Sequence, residues 1–119
     1  MNFEFDNNIP IYIQLVEQIK NHIISGKLKP GERIPSVREL AIITKVNPNT
    51  MQKALAELED SGLIFTERTN GKFVTEDKEL ILKYKKEYAD AVSEKYLSQM
   101  KKIGFSKEET LDYLKNITD

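Results

Sequence analysis

The chain has 119 residues, 39% of them hydrophobic and 31% charged, which suits one compact domain with a small appendage. It contains no cysteine, excluding disulfides, thiolate metal sites and cysteine nucleophiles, and no apolar run near the ~20 residues that span a bilayer. The formal net charge of −1 weighs mildly against nucleic acid as a partner until the distribution of charge is considered.

The opening Met1-Asn2-Phe3-Glu4-Phe5-Asp6 is acidic and lacks the basic n-region of a secretory signal. A cytoplasmic protein without membrane contact is expected, and the sequon at Asn116-Ile117-Thr118 then carries no meaning. Behind Pro10, the residues Tyr12, Leu15, Val16, Ile19 and Ile23 share one helical face, with Gly26 placed to end the helix. Lys29-Pro30-Gly31-Glu32 has the proline and glycine of a type II turn. Ser36-Val37-Arg38-Glu39 has capping-box spacing and predicts a short helix with Val37, Leu40, Ala41 and Ile43 inward. After a brief break at residues 44–46, Asn47 can cap a further helix and Pro48 fits its first position. Met51, Ala54, Leu55 and Leu58 form the inner face of that helix, and Gly62 ends it.

Residues 63–68 and 73–75 are rich in β-formers, and Asn70-Gly71 between them predicts a hairpin closed by a type I′ turn. From Asp77 the apolar residues Ile81, Tyr84, Tyr88, Val92, Tyr96, Met100 and Ile103 recur every three or four positions. They predict one amphipathic helix of about 25 residues. Gly104 stops it. Ser106 to Glu109 is a second capping box, and Leu111, Leu114 and Ile117 mark a short last helix.

The expected fold is therefore mainly α with a small β-hairpin: a winged helix-turn-helix over residues 1–76, then two C-terminal helices over 77–119. In such a motif the start of the second helix meets base edges in the major groove, and the hairpin, or wing, reaches the adjacent backbone. Charge agrees with topology. Between Lys27 and Lys53 six bases face two acids, whereas Ala54 to Glu67 holds four acids and no base. One face can thus attract an anion while the whole chain stays near neutral. On that face Arg38, Asn49, Thr50, Gln52 and Lys53 are candidate DNA contacts, joined by Arg68 and Lys72 on the hairpin; asparagine can pair bidentately with adenine. The apolar stripe of the tail, with little chain left to cover it, must bury against something. A second copy is the economical partner, giving a two-fold dimer through Ile81, Tyr84, Tyr88, Val92, Tyr96, Met100, Leu111 and Leu114.

The segments "IPIYIQLVEQIKNHIISGKLKPGERIPSVRELA", "VNPNTMQKALAELEDSGLI" and "GKFV" resemble the DNA-binding domain of the GntR family of bacterial transcriptional regulators. The likeness covers about residues 9–75, with the PIY-x-Q, G-x-L-x-P-G, PS-x-REL and VNPNT elements in the expected order. The short helical tail resembles the YtrA-type subfamily, whose members dimerise through two C-terminal helices. The resemblance implies that Ser36 and Arg38 face the DNA backbone and groove edge. It implies that Asn47, Pro48, Asn49 and Thr50 form the leading tip of the recognition helix, with Gln52 and Lys53 one turn in. Asn70 and Gly71 would form the wing tip. Where the family wing reads Gly-x-Gly-Thr-Phe-Val, this chain has Thr69-Asn70-Gly71-Lys72-Phe73-Val74, so Lys72 is a candidate phosphate contact. The resemblance also implies repression, often of a neighbouring transporter operon, under control of a small effector.

No nucleophile–base pair, phosphate loop or metal cluster can be assembled, and His22 stands alone, so neither an enzyme nor a cofactor or metal is expected. The alternative is a winged-helix protein–protein adaptor without DNA binding. The polar tip Asn47–Thr50 speaks against it, because a protein-facing tip favours aromatic and aliphatic anchors.

Overall fold

The computed structural model describes residues 2–118. Met1, first of the acidic N-terminal stretch, and Asp119, last of the expected tail, lie outside the described residues. The elements are α1 (Ile11–Ile24), α2 (Val37–Thr44), α3 (Pro48–Asp60), β1 (Ile64–Glu67), β2 (Gly71–Val74), α4 (Lys78–Lys102) and α5 (Lys107–Ile117). They form two compact units, Met1–Tyr84 and Lys85–Asp119.

In the first unit the apolar faces anticipated for α1 and α3 meet. Leu15, Ile19, Ile23, Met51, Leu55 and Leu58 are all at most 1% exposed, and each such side chain contributes roughly 1.5–3 kcal/mol by burial. Leu40 and Ala41 of α2, Leu63 just before β1, and Ile64 and Val74 of the hairpin join the core, with Leu28 and Ile34 from the segment between α1 and α2. Ile43 departs from expectation at 54% exposed. The inner arc of α2 runs through residues 37, 40, 41 and 44, and Ile43, six positions after Val37, falls on the far side.

The local signals act where they stand. Glu32 N–H donates to the Lys29 carbonyl at 3.0 Å, with Gly31 at φ +80°. Ser36 and Glu39 close the capping box from both sides. Lys45, between α2 and α3, is the one described non-glycine residue at positive φ (+58°). It is held there by its N–H to Ile42 and by Val46 N–H to Ala41.

The hairpin forms with the register Ile64↔Val74, Phe65↔Phe73, Thr66↔Lys72 and Glu67↔Gly71. Ile64 and Val74 point into the core, while Phe65 and Phe73 stack on the other face at 5.7 Å. The turn differs from the two-residue type I′ expectation. Arg68, Thr69 and Asn70 connect the strands, Asn70 N–H donates to the Glu67 carbonyl at 3.3 Å, and Gly71 alone takes a left-handed φ, +101°. A longer connection needs the left-handed conformation only once, and glycine supplies it. A feature absent from the sequence reading is a third, strand-like segment. Gly31 and Ile34 donate their N–H groups to the Val74 and Lys72 carbonyls, and Val74 N–H donates to Glu32, each at 2.9 Å. β2 is thus flanked on both edges.

The break between units comes later than residue 76. Ile81 and Tyr84 pack against the first unit's core, and Tyr84 Oη donates to the Ser61 carbonyl at 3.1 Å. These two members of the expected dimer stripe are therefore partly covered within their own chain. In the second unit Thr110 is 1% exposed, Ser106 and Glu109 form a full capping box, and Phe105 meets Tyr113 edge-on at 5.6 Å. Tyr96, Met100 and Leu114 are half-buried there, while Tyr88, Val92 and Leu111 are exposed.

Candidate nucleic-acid interface

Three residues, Lys45 to Asn47, join α2 to α3, the short connection of a helix-turn-helix. Asn47 caps α3: its Oδ1 accepts the Asn49 N–H at 2.7 Å, and Pro48 occupies the first helical position. Met51 and Ala54, fully buried, anchor the first turns to the core. That leaves Asn47, Pro48, Asn49, Gln52 and Lys53 exposed and Thr50 half-buried. There is no acidic residue in the first turn of α3, so the positive pole of the helix meets no opposing carboxylate there. The acids Glu57, Glu59 and Asp60 stand at its other end.

One turn in, Lys53 is positioned rather than loose. Its Nζ lies 4.4 Å over the Tyr12 ring, a cation–π contact. Tyr12 Oη donates to Glu57 at 2.6 Å. That hydrogen bond first, then burial and the carboxylate charge, push the phenol above its usual pKa. Tyr12 belongs to the PIY-x-Q element, and so does Gln14. The Gln14 amide donates to the carbonyls of Asp6 and Ile9 and accepts from Asp6 N–H, all at 2.7 Å. It pins the N-terminal segment on α1, so its role is structural. His22 is equally committed, with Nδ1 2.6 Å from the Gln18 carbonyl and its ring stacked on Phe3.

Beside the start of α2 lies a groove of about 380 Å³ lined by Arg33, Ser36, Arg38, Arg68, Gly71 and Lys72, among others. It gathers the expected residues of PS-x-REL and of the wing into one place. It adds Arg33, which the sequence reading did not single out. The available signal was the alternation of Arg33 and Ile34 in an extended run before Pro35, too short to be read as a strand. Lys72 is turned to neighbours in its own chain: Nζ donates to Thr66 Oγ1 at 2.8 Å and lies 3.6 Å from Glu59, and Thr66 in turn donates to Glu59. The phosphate contact expected of Lys72 competes with these. Asn70 bonds Glu67 through Nδ2 at 3.1 Å, at the outer end of the hairpin. Between them, α3's tip presents exposed side-chain amides and the groove presents three guanidinium groups.

Among the described residues no helix is long and apolar enough to cross a membrane, and no group of three or more acidic or histidine side chains is arranged to hold a metal.

Comparison with known proteins agrees with this arrangement. Residues 11–74 match the family of bacterial regulatory proteins, gntR family. The HTH-type transcriptional regulator YhcF of Bacillus subtilis, itself uncharacterized, is 40% identical over 119 residues, spanning 100% of this chain and 98% of YhcF. A GntR family transcriptional regulator from Listeria monocytogenes superposes with a TM-score of 0.89 at 41% identity, over 94% of this chain and 98% of that one. The DNA-binding domain of AraR, solved in complex with operator ORR3, aligns at a TM-score of 0.54 and 33% identity over 63% of this chain and 88% of that one. Matched across its helix-turn-helix and wing by the family, and from end to end by a relative of the same short length, the chain belongs to the GntR family of DNA-binding transcriptional regulators.

Proposed function

We propose that the chain is a dimeric repressor that reads a palindromic operator. The observation that carries this reading is the tip of α3, where exposed Asn47, Pro48, Asn49 and Gln52 stand at a helix N-terminus with no acid in its first turn. In this reading the tip enters the major groove, Asn49 meets a base edge, and Thr50 and Lys53 reach phosphates. Ser36, Arg38 and Arg68 take the backbone beside it, and the hairpin tip at Asn70 and Gly71 reaches the adjacent groove. The AraR domain, of related fold, is bound to operator DNA in its own structure, which supports this use of the surface. A protein that works on chromosomal DNA works in the cytoplasm.

Dimerisation falls to the tail. Tyr88, Val92 and Leu111 are between 42% and 56% exposed, and a second copy would cover them, with Tyr96, Met100 and Leu114 behind. Two heads related by a two-fold axis read half-sites about one helical turn apart. The resemblance to YtrA-type regulators further suggests control of a neighbouring transporter operon by a small effector. A recess of about 340 Å³ lined by Leu97, Ser98, Lys101, Phe105 and Lys107 lies at the small end of ligand-site sizes. A thermal-shift screen tests the effector, and absence of stabilisation by any transported solute class removes it.

Arg38→Ala tests the DNA surface. Affinity for duplexes of any sequence falls if Arg38 holds a phosphate. Unchanged affinity for both operator and random DNA contradicts its placement.

A further inference from the structure

Arg33 lies in the strand-like segment on the outer edge of β2. Alternation sends Ile34, 2% exposed, into the core and leaves Arg33 on the surface. From there its Nε donates to the carbonyl of Asn70 at 2.9 Å, across 37 residues of chain. Its guanidinium also covers Gly71, where an added Cβ would stand 3.2 Å from Nε and 3.3 Å from Nη2. The Arg33 side chain thus ties the hairpin tip to the strand-like segment.

Arg33 has charge to spare. Among the described residues the ion pairs are Lys72–Glu59 and Lys86–Asp90, and Arg33 is in neither. Lys72, the cation expected to serve the wing, is the one that is paired. The cations left in the groove beside the hairpin are Arg33, Arg38 and Arg68. A guanidinium carries five N–H donors in a fixed fork, and the bond to Asn70 uses one.

We propose that Arg33 both braces the wing and contacts a DNA phosphate. Nε holds the Asn70 carbonyl and fixes the height of the hairpin tip, while the Nη groups receive a backbone phosphate in the groove shared with Arg38 and Arg68. The planar guanidinium serves the two partners from separate nitrogens in a fixed fork, whereas a lysine would have to share one nitrogen between them. The inference rests on the DNA-binding reading above, and it adds to the wing a phosphate contact from a residue outside the hairpin.

The test uses the full chain and a fluorescein-labelled random-sequence duplex, titrated by anisotropy at several salt concentrations. It is paired with amide hydrogen exchange of the free protein. For Arg33→Ala the slope of log affinity against log salt becomes shallower by about 1, the share of one phosphate. Exchange across Asn70 to Lys72 accelerates by about tenfold as the charged hydrogen bond is lost. Arg33→Lys restores the salt slope. A wild-type slope in Arg33→Ala overturns the phosphate contact, and unchanged exchange at the hairpin tip overturns the brace. Failure of the wild-type chain to bind the duplex at low salt is a separate result: it removes the DNA-binding reading, and this proposal with it.

Discussion

The side chain of Asn47 accepts the backbone N–H of Asn49 at 2.7 Å, so the first asparagine of Asn-Pro-Asn-Thr is spent on the helix and the second is not. Asn47→Ala therefore removes a cap, at about 1 kcal/mol. Urea unfolding of the variant measures that loss directly. A midpoint equal to wild type would show that Pro48 and the packing of Met51 suffice to start α3.

Asn49 keeps its own side-chain amide free at the exposed tip. Asn49→Ala is expected to weaken binding to a selected operator by roughly 1–3 kcal/mol, the worth of a bidentate base contact, and to leave binding to random DNA nearly unchanged. Anisotropy titrations on both duplexes separate the two effects. Equal losses on both would reassign Asn49 from base to phosphate.

The tail stripe divides at the boundary between units. Tyr88 is 42% exposed, and Tyr88→Asp is expected to yield monomers in sedimentation velocity with a large loss of operator affinity. Tyr84, bonded to Ser61 within its own chain, behaves differently. Tyr84→Phe costs about 0.5–1.5 kcal/mol of stability and leaves the sedimentation coefficient where it was. An unchanged profile for Tyr88→Asp would refute dimerisation through this stripe.

Glu109 accepts the Ser106 backbone N–H at 3.0 Å, and the backbone bond and then the Ser106 side chain hold its carboxyl below the usual value of 4.5. The depressed folded pKa favours the ionised form in the folded tail. Its contribution is fully present above pH 4.5 and is lost as pH falls through the folded pKa. Carbon-13 titration of the Glu109 carboxyl is expected to give a midpoint below 4.5, and helicity of α5 is expected to fall over the same window. Glu109→Gln removes that pH dependence. A midpoint at or above 4.5 would deny the capping box in solution.

Much of this architecture was legible in the sequence because its signals are local. The Ser36 and Ser106 boxes, the cap at Asn47, the turn at Gly31 and the faces of α1 and α3 each depend on residues a few positions apart. The misses are long-range. Arg33 meets Asn70 across 37 residues, and the strand-like segment of residues 31–34 forms only because β2 offers it an edge. Asn70-Gly71 carries the composition of a two-residue turn, yet the fold draws a longer connection from it. Ile81 and Tyr84 share the period of Tyr88 and Val92, so periodicity could not tell side chains packed on their own domain from those left exposed. Lys72 read as a free cation because its partner, Glu59, lies on a different element.

The central claim is that the tip of α3 and the arginine-lined groove form a DNA-binding face. Anisotropy of the full chain on a duplex from its own promoter, between 50 and 200 mM salt, tests it most directly. With about six phosphates neutralised, affinity is expected to fall by roughly 10³-fold across that range. Absence of any shift at 50 mM salt, with the chain folded, would contradict the claim and leave the winged helix as a surface for protein partners.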